Sequence, residues 1–177
     1  MILVVAATEP ELAGANGVAT LACGIGPVES AATTARALAE LQPQLVLHVG
    51  LAGARTIAAP ALVIGSESVY EDARGGLVRE RVEPEARLVA AARRALPEAY
   101  VLPIGTSARV GGTSECEIEA MEGFAVLHAA QLADIPAVEV RAISNEIDEP
   151  DRARWRFDDA LAALADAVPR LLAELQE

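Results

Sequence analysis

Five polar side chains stand where apolar stretches of this sequence end or pause: Glu11, Glu122, Arg141, Ser144 and Asn145. Glu11 follows the apolar run 2–7 almost directly. A carboxylate there can take a proton from a water or a sugar hydroxyl; a first-turn helix charge favoured by the dipole fits the position as well. Glu122 is flanked by Met121, Gly123, Phe124 and Ala125. A carboxylate in apolar company needs partners. A ribose diol would supply two hydroxyl donors, and a helix start would supply its own backbone. Arg141 interrupts an apolar segment and calls for a buried partner. Ser144 and Asn145 follow at its polar end, where either a ligand or a loop cap would use them.

Two small-residue segments, Gly24-Ile25-Gly26 and Gly50-Leu51-Ala52-Gly53, let a ligand approach the backbone or simply make tight turns. Neither has the full dinucleotide fingerprint or a P-loop lysine. The chain has no lysine, so an anion must be met by arginine, a helix N-terminus or backbone N–H groups. The acidic run Glu115, Glu117, Glu119, Glu122 has only His48 and His128 as companions. His48 lies in an apolar strand and reads as a core histidine with its bonds satisfied. His128 lies mid-helix and reads as packing or surface. A metal site is therefore not expected, and the acidic run reads as a solvated face.

The elements that must position these residues follow from the apolar pattern. Strands are expected at 2–7, 17–23, 45–49, 61–70, 100–104 and 137–143, with a short one at 107–110. Helices are expected at 28–41, 85–96, 115–133 (in one or two pieces) and 151–174, with Asp151 as a possible N-cap. Pro27 suits a first helical position. Residues 50–54 read as a loop. Strands alternating with helices imply an α/β fold: three-layer αβα around a central mixed, mostly parallel twisted sheet. Ligands in such sheets sit at the carboxyl ends of strands. That singles out 8–11, 50–54, 110–113 and 144–145.

Composition bounds the partners. The chain of 177 residues suits one domain. It is 53% hydrophobic but only 3% aromatic, so its core is aliphatic. The net charge of −12 (14 basic against 26 acidic side chains) argues against nucleic acid and against an anionic membrane surface. Cys23 and Cys116 form neither a disulfide framework nor a ligand pair, which points to a reducing compartment. The opening apolar run is too short to span a bilayer and has no basic segment before it, so a cytoplasmic protein is expected.

Taken together, 4–11, 23–28, 49–54, 120–125 and 141–145 resemble, in order, the superfamily of methylthioadenosine/S-adenosylhomocysteine nucleosidases, purine and uridine phosphorylases and futalosine hydrolases. The stretch 141–164 looks most like futalosine hydrolase, which releases hypoxanthine from futalosine in menaquinone biosynthesis. The resemblance implies a phosphorylase/hydrolase-like fold, a purine nucleoside substrate, no cofactor, and a homodimer or larger homo-oligomer. It implies that Glu11 activates the attacking water and that Thr8 beside it binds the substrate. Glu122 would grip the ribose hydroxyls with Met121 packed on the sugar, and Arg141 would order Glu122. Leu51, Ala52 and Gly53 would line the base and sugar, and Ser144 and Asn145 would meet the purine. Trp155 or Phe157 would close the base pocket.

One departure carries information. Nucleosidases acting on adenine nucleosides have aspartate where this chain has Asn145. Asparagine donates a hydrogen bond but not a proton, so a 6-oxopurine leaving group fits better than adenine. A methylthioadenosine/S-adenosylhomocysteine nucleosidase and a purine nucleoside phosphorylase are the enzyme alternatives, but for the phosphorylase Pro27 and Leu51 stand where phosphate-binding residues would be wanted. A non-catalytic nucleoside-binding module is the remaining one, because the segment between Gly53 and Gly105 is shorter than in typical relatives. Arg55, Arg74 and Arg109 are candidates for meeting an acidic group on the nucleoside's 5′ side, with solvated surface as the other reading of each.

Overall fold

The computed structural model describes residues 1–73, 76–111 and 115–176. Its strands are β1 (Ile2–Ala6), β2 (Ala19–Ala22), β3 (Leu45–Ala54), β4 (Leu62–Tyr70), β5 (Arg81–Val82), β6 (Tyr100–Thr106), β7 (Ile118–Ala120) and β8 (Ala137–Glu146). Its helices are α1 (Pro27–Leu41), α2 (Ala86–Ala95), α3 (Gly123–Leu132) and α4 (Phe157–Leu175). Two 3-10 turns, Glu9–Leu12 and Arg152–Arg154, complete the set.

All five residues of β1 are buried, and their alternation serves two cores. Ile2, Val4 and Ala6 pack with Leu45, Leu47, Val138 and Val140 against Leu88 of α2 and Leu164, Val168 and Leu171 of α4. Leu3 and Val5 point the other way, toward Leu38 of α1 and Val126, Leu127 and Ala130 of α3. Period-two strands buried on both faces read as continuous apolar runs, which is why this segment is legible in the sequence. The apolar stripe Ala160, Leu164, Ala167, Val168, Leu171 of α4 follows the helical period and faces the sheet.

The sheet is mixed and mostly parallel, as expected, but it differs from a three-layer twisted sheet in that part of it closes. It is mixed, with β1–β2, β1–β3, β3–β8, β4–β6 and β6–β7 parallel and β3–β7, β4–β8 and β4–β5 antiparallel. β3, β8, β4, β6 and β7 pair in a closed ring, while β2 and β1 extend from β3 as a wing. The ring is filled by Ala52, Ala54, Val63, Ile104, Ile118, Ala120 and Ile143, with every one of its strands contributing. Helices still cover both faces, but a closed barrel replaces part of the twisted layer.

Closure accounts for the other local differences. Residues 50–54, expected as a loop, are the second half of β3, since they pair with β8 and, at Gly53 and Ala54, with β7. The first part of the expected helix 115–133 instead holds β7, whose Ile118 and Ala120 alternate into the ring. Residues 107–110 form bends and no strand. Asp151 accepts from the backbone of Ala153 at 3.0 Å and so caps a 3-10 turn, while α4 starts six residues later. Among the described residues no helix is long and apolar enough to cross a membrane.

Candidate active site

The carboxyl ends of β1, β3 and β8 open onto a cavity of about 490 Å³. Glu11 reaches it from the 3-10 turn after β1, and Glu122 from the N-cap of α3. The two carboxylates are 111 positions apart in sequence, yet both are buried in the wall of one cavity.

Each is held by donors on its inner side. Glu11 Oε2 accepts from the Thr8 backbone at 2.8 Å and from the Thr8 hydroxyl at 2.7 Å; Oε1 accepts from the backbone N–H of Leu51 at 3.0 Å. The sequence reading of a first-turn charge is thus true locally, since Thr8 and Glu11 form a capping box. The bond to Leu51 adds a tertiary tie to β3. Glu122 Oε1 accepts from the backbone of Gly26 at 3.0 Å, and its Oε2 lies 3.4 Å from Arg141 Nη1. Burial pushes the Glu122 carboxyl above its ordinary value, against the opposing pull of Arg141.

Arg141 does not line the cavity. It is fully buried behind it, where Nε donates to Glu139 at 2.7 Å and Nη2 to His48 Nε2 at 2.6 Å. Arginine has no acceptor, so His48 Nε2 accepts and its Nδ1–H donates to the Val5 carbonyl at 3.0 Å. Burial, and then the neighbouring guanidinium, hold His48 well below its ordinary pKa. It is the satisfied core histidine expected from its strand. Ser68 donates to the second oxygen of Glu139. Two glycines make room for this network. A side chain at Gly50 would fall on Arg141 Nη1, and one at Gly123 on both oxygens of Glu139.

The remaining expected residues gather on the cavity wall. Thr8, Leu51, Ala52 and Gly53 line it beside Glu11, and Met121 lines it beside Glu122. Ser144 and Asn145 line it from the end of β8, and Trp155 and Phe157 from the segment leading into α4. The Ser144 hydroxyl donates to Asn145 Oδ1 at 2.8 Å, and Asn145 Nδ2 donates to the Glu146 carbonyl at 2.9 Å. That pattern sets the amide with its nitrogen as the donor.

Other expectations change. Glu119 is buried in the cavity wall and accepts from the Gly111 backbone at 2.7 Å. Glu117 accepts from Thr56 and Ile57. These two therefore fasten loops and do not form a solvated face. Arg55 Nε is bonded to the Cys116 carbonyl at 3.0 Å, and neither Arg55 nor the exposed Arg109 lines the cavity. Arg74, and 112–113 of the stretch 110–113, lie outside the described residues. Buried Cys23 is pushed up to about 12, first by burial and then by Glu122, so it stays a thiol at neutral pH.

The sequence reading gave no role to Arg152, which lines the cavity, or to Glu139 and Ser68, which brace it; Ile25 and Val110 line it from the segments 24–26 and 110–113 that it had pointed to. The signal for Glu139 was present. Two positions apart in one strand, Glu139 and Arg141 share a face.

Comparison with known proteins supplies the class, a nucleosidase-type N-glycosyl hydrolase. The chain belongs to the phosphorylase superfamily, which it matches over residues 10–112 and 113–177. It is 35% identical over 185 residues to a futalosine hydrolase of Streptomyces coelicolor, covering 88% of this chain and 79% of the relative. A futalosine hydrolase of Thermus thermophilus is 47% identical over 57 residues, which is 32% of this chain and 25% of that protein. Among solved structures, the methylthioadenosine/S-adenosylhomocysteine nucleosidase of Colwellia psychrerythraea in complex with adenine superposes with a TM-score of 0.84 at 19% identity, covering 98% of this chain and 95% of that one. The corresponding Helicobacter pylori nucleosidase gives 0.86 at 17%, covering 99% and 97%. At such identities the likeness shows the fold.

Proposed function

We propose that this chain hydrolyses the N-glycosidic bond of a 6-oxopurine nucleoside, with futalosine as substrate and hypoxanthine as the released base. The observation that carries the reading is the meeting of Glu11 and Glu122 in one cavity that Asn145 also lines. In this reading Glu11 takes a proton from water as the water oxygen attacks the anomeric carbon. The bond from that carbon to N9 of the base breaks, and its electron pair leaves with the base. Positive charge develops on the sugar as the bond lengthens, and the two carboxylates stabilise it. Glu122 accepts from the ribose diol, and Met121 packs on the sugar.

Asn145 donates its amide N–H to N7 or O6 of the leaving base. It transfers no proton, so the hypoxanthine anion is protonated by water. The amide orientation supports this, because the Glu146 carbonyl can only accept and so fixes Nδ2 as the donor, whose second N–H would serve the base. The identity to the Streptomyces coelicolor futalosine hydrolase supports the same substrate. Hydrolysis is favoured over phosphorolysis because three carboxylates, Glu11, Glu119 and Glu122, line the cavity and would repel phosphate.

The test is a nucleoside panel with chromatography of the released base. Futalosine is expected to yield hypoxanthine without added phosphate, and methylthioadenosine to yield little adenine. A preference for methylthioadenosine, or a strict need for phosphate, overturns the reading.

A further inference from the structure

One buried carboxylate has no part in the reaction above. Glu139 on β8 pairs in register with His48 on β3 and lies two residues from Arg141, on the same face of the strand. It is fully buried. One of its oxygens accepts from Arg141 Nε at 2.7 Å, and the other accepts from the Ser68 hydroxyl of β4. Both oxygens lie against the bare Cα of Gly123, the first residue of α3, and Glu122 immediately precedes that glycine.

The Arg141 guanidinium is held unevenly. Its close bonds, 2.7 Å to Glu139 and 2.6 Å to His48, go to residues behind the cavity wall. Its contacts toward the cavity are longer, 3.3 Å to the Leu51 carbonyl and 3.4 Å to Glu122 Oε2. His48 is neutral, so one positive charge faces the carboxylates of Glu139 and Glu122. Neutralising a buried arginine takes one carboxylate, and Glu139 by itself does so. Glu122 then keeps its own charge and lone pairs that Arg141 does not take up. Without the Glu139 charge, the guanidinium would turn to the carboxylate it already touches, Glu122, in the forked pair that arginine favours.

We propose that Glu139 is a positioning residue for sugar recognition: by engaging Arg141 from behind, it keeps Glu122 open to the 2′ and 3′ hydroxyls of the nucleoside. This rests on the nucleosidase reading, which puts the diol on Glu122. Ser68 and Gly123 belong to the same device. The Ser68 hydroxyl fixes the second oxygen of Glu139, and the missing side chain at Gly123 lets the carboxylate reach the start of α3.

The experiment compares futalosine with its 2′-deoxy counterpart, which lacks one of the hydroxyls that Glu122 accepts from. Dissociation constants are measured in the Glu11→Gln background, where turnover is slow, with no further change, with Glu139→Gln and with Ser68→Ala. Glutamine keeps an acceptor for Arg141 Nε and removes the charge. A hydroxyl donating to a carboxylate should give a preference for the ribonucleoside of about 10- to 100-fold. Glu139→Gln should cut that preference about 10-fold, and Ser68→Ala should cut it by less. A merely loosened fold would weaken both ligands alike and leave the ratio where it was. An unchanged or larger preference in folded Glu139→Gln overturns the proposal, as does a reference protein with no preference. Should Glu139→Gln fail to fold, Ser68→Ala decides, and an unchanged ratio there overturns the proposal. Absence of base release from both compounds when Glu11 is intact would instead sink the nucleosidase reading, while the binding ratios would still decide the role of Glu139.

Discussion

The Arg141 guanidinium sits 2.7 Å from Glu139, and neither side chain has any solvent exposure. The pair anchors the back of the cavity, because the same guanidinium reaches Glu122 at 3.4 Å and the Leu51 carbonyl at 3.3 Å. Burial alone would disfavour the Arg141 charge; Glu139 and Glu122 more than offset that and raise its pKa.

Replacing Arg141 by methionine should be among the most damaging single changes in the molecule. It strands Glu139 and leaves Glu122 without its cation, and breaking a buried pair from one side costs about 3–5 kcal/mol. Arg141→Lys should recover only part of the loss, since a single ammonium cannot serve Glu139, Glu122 and His48 at once. Urea unfolding of the three proteins checks both statements.

Gly50→Ala should destabilise the fold by roughly 1–3 kcal/mol, the cost of overpacking a filled interior. The added carbon would fall on Arg141 Nη1 and stand 3.1 Å from Glu11 Oε1. Activity should fall further than stability, because the collision pushes on both the brace of Glu122 and the proposed base. Melting temperature and initial rate, measured on the same preparation, separate the two effects.

The pH dependence follows from Glu122, whose pKa in the folded protein is raised, chiefly by burial. A carboxyl with a raised folded pKa binds its proton more tightly folded than unfolded. It contributes stability fully below its unfolded value, and that contribution is lost as pH rises through the folded value. The stability of the parent relative to Glu122→Gln should therefore improve as pH is lowered from 8 toward 5. Activity should move oppositely, since a protonated Glu122 no longer offers a full acceptor to the diol. The acid limb of kcat/KM should lie above the ordinary carboxylate value of 4.5. Melting curves and pH–rate profiles read these two trends, and a melting gap that widens against the parent at low pH contradicts them.

Asn145→Asp should shift selectivity toward adenine nucleosides. It restores a group able to give a proton to N7, and it places a carboxylate beside the 6-oxo group. Loss of one positioned donor to a leaving group costs on the order of 10²–10³ in rate. The ratio of kcat/KM for futalosine to that for methylthioadenosine should fall by that order, and an unchanged ratio would remove Asn145 from the account of base choice.

Much of this was legible from local pattern. β1 is an unbroken apolar run, α1 begins at Pro27, and Glu11, Glu122 and Asn145 each follow or interrupt an apolar stretch in a way that demands explanation. What was not legible depends on pairing between distant segments. Gly50-Leu51-Ala52-Gly53 reads as a loop because glycine is poor in strands; it is strand because Gly50 must leave space for Arg141 and because β8 runs alongside. β7 hides in a glutamate-rich stretch with helical character, and only its simultaneous pairing with β3 and β6 makes it a strand and closes the barrel.

The most direct measurement is hypoxanthine release from futalosine in phosphate-free buffer by the parent and by Glu11→Gln, side by side. The parent should turn over, and the variant should remain folded while losing about 10²–10⁴ in rate, as expected when a general base is removed. Equal rates in the two proteins, or no release by a folded parent, would contradict a water-activating Glu11 facing the sugar held by Glu122.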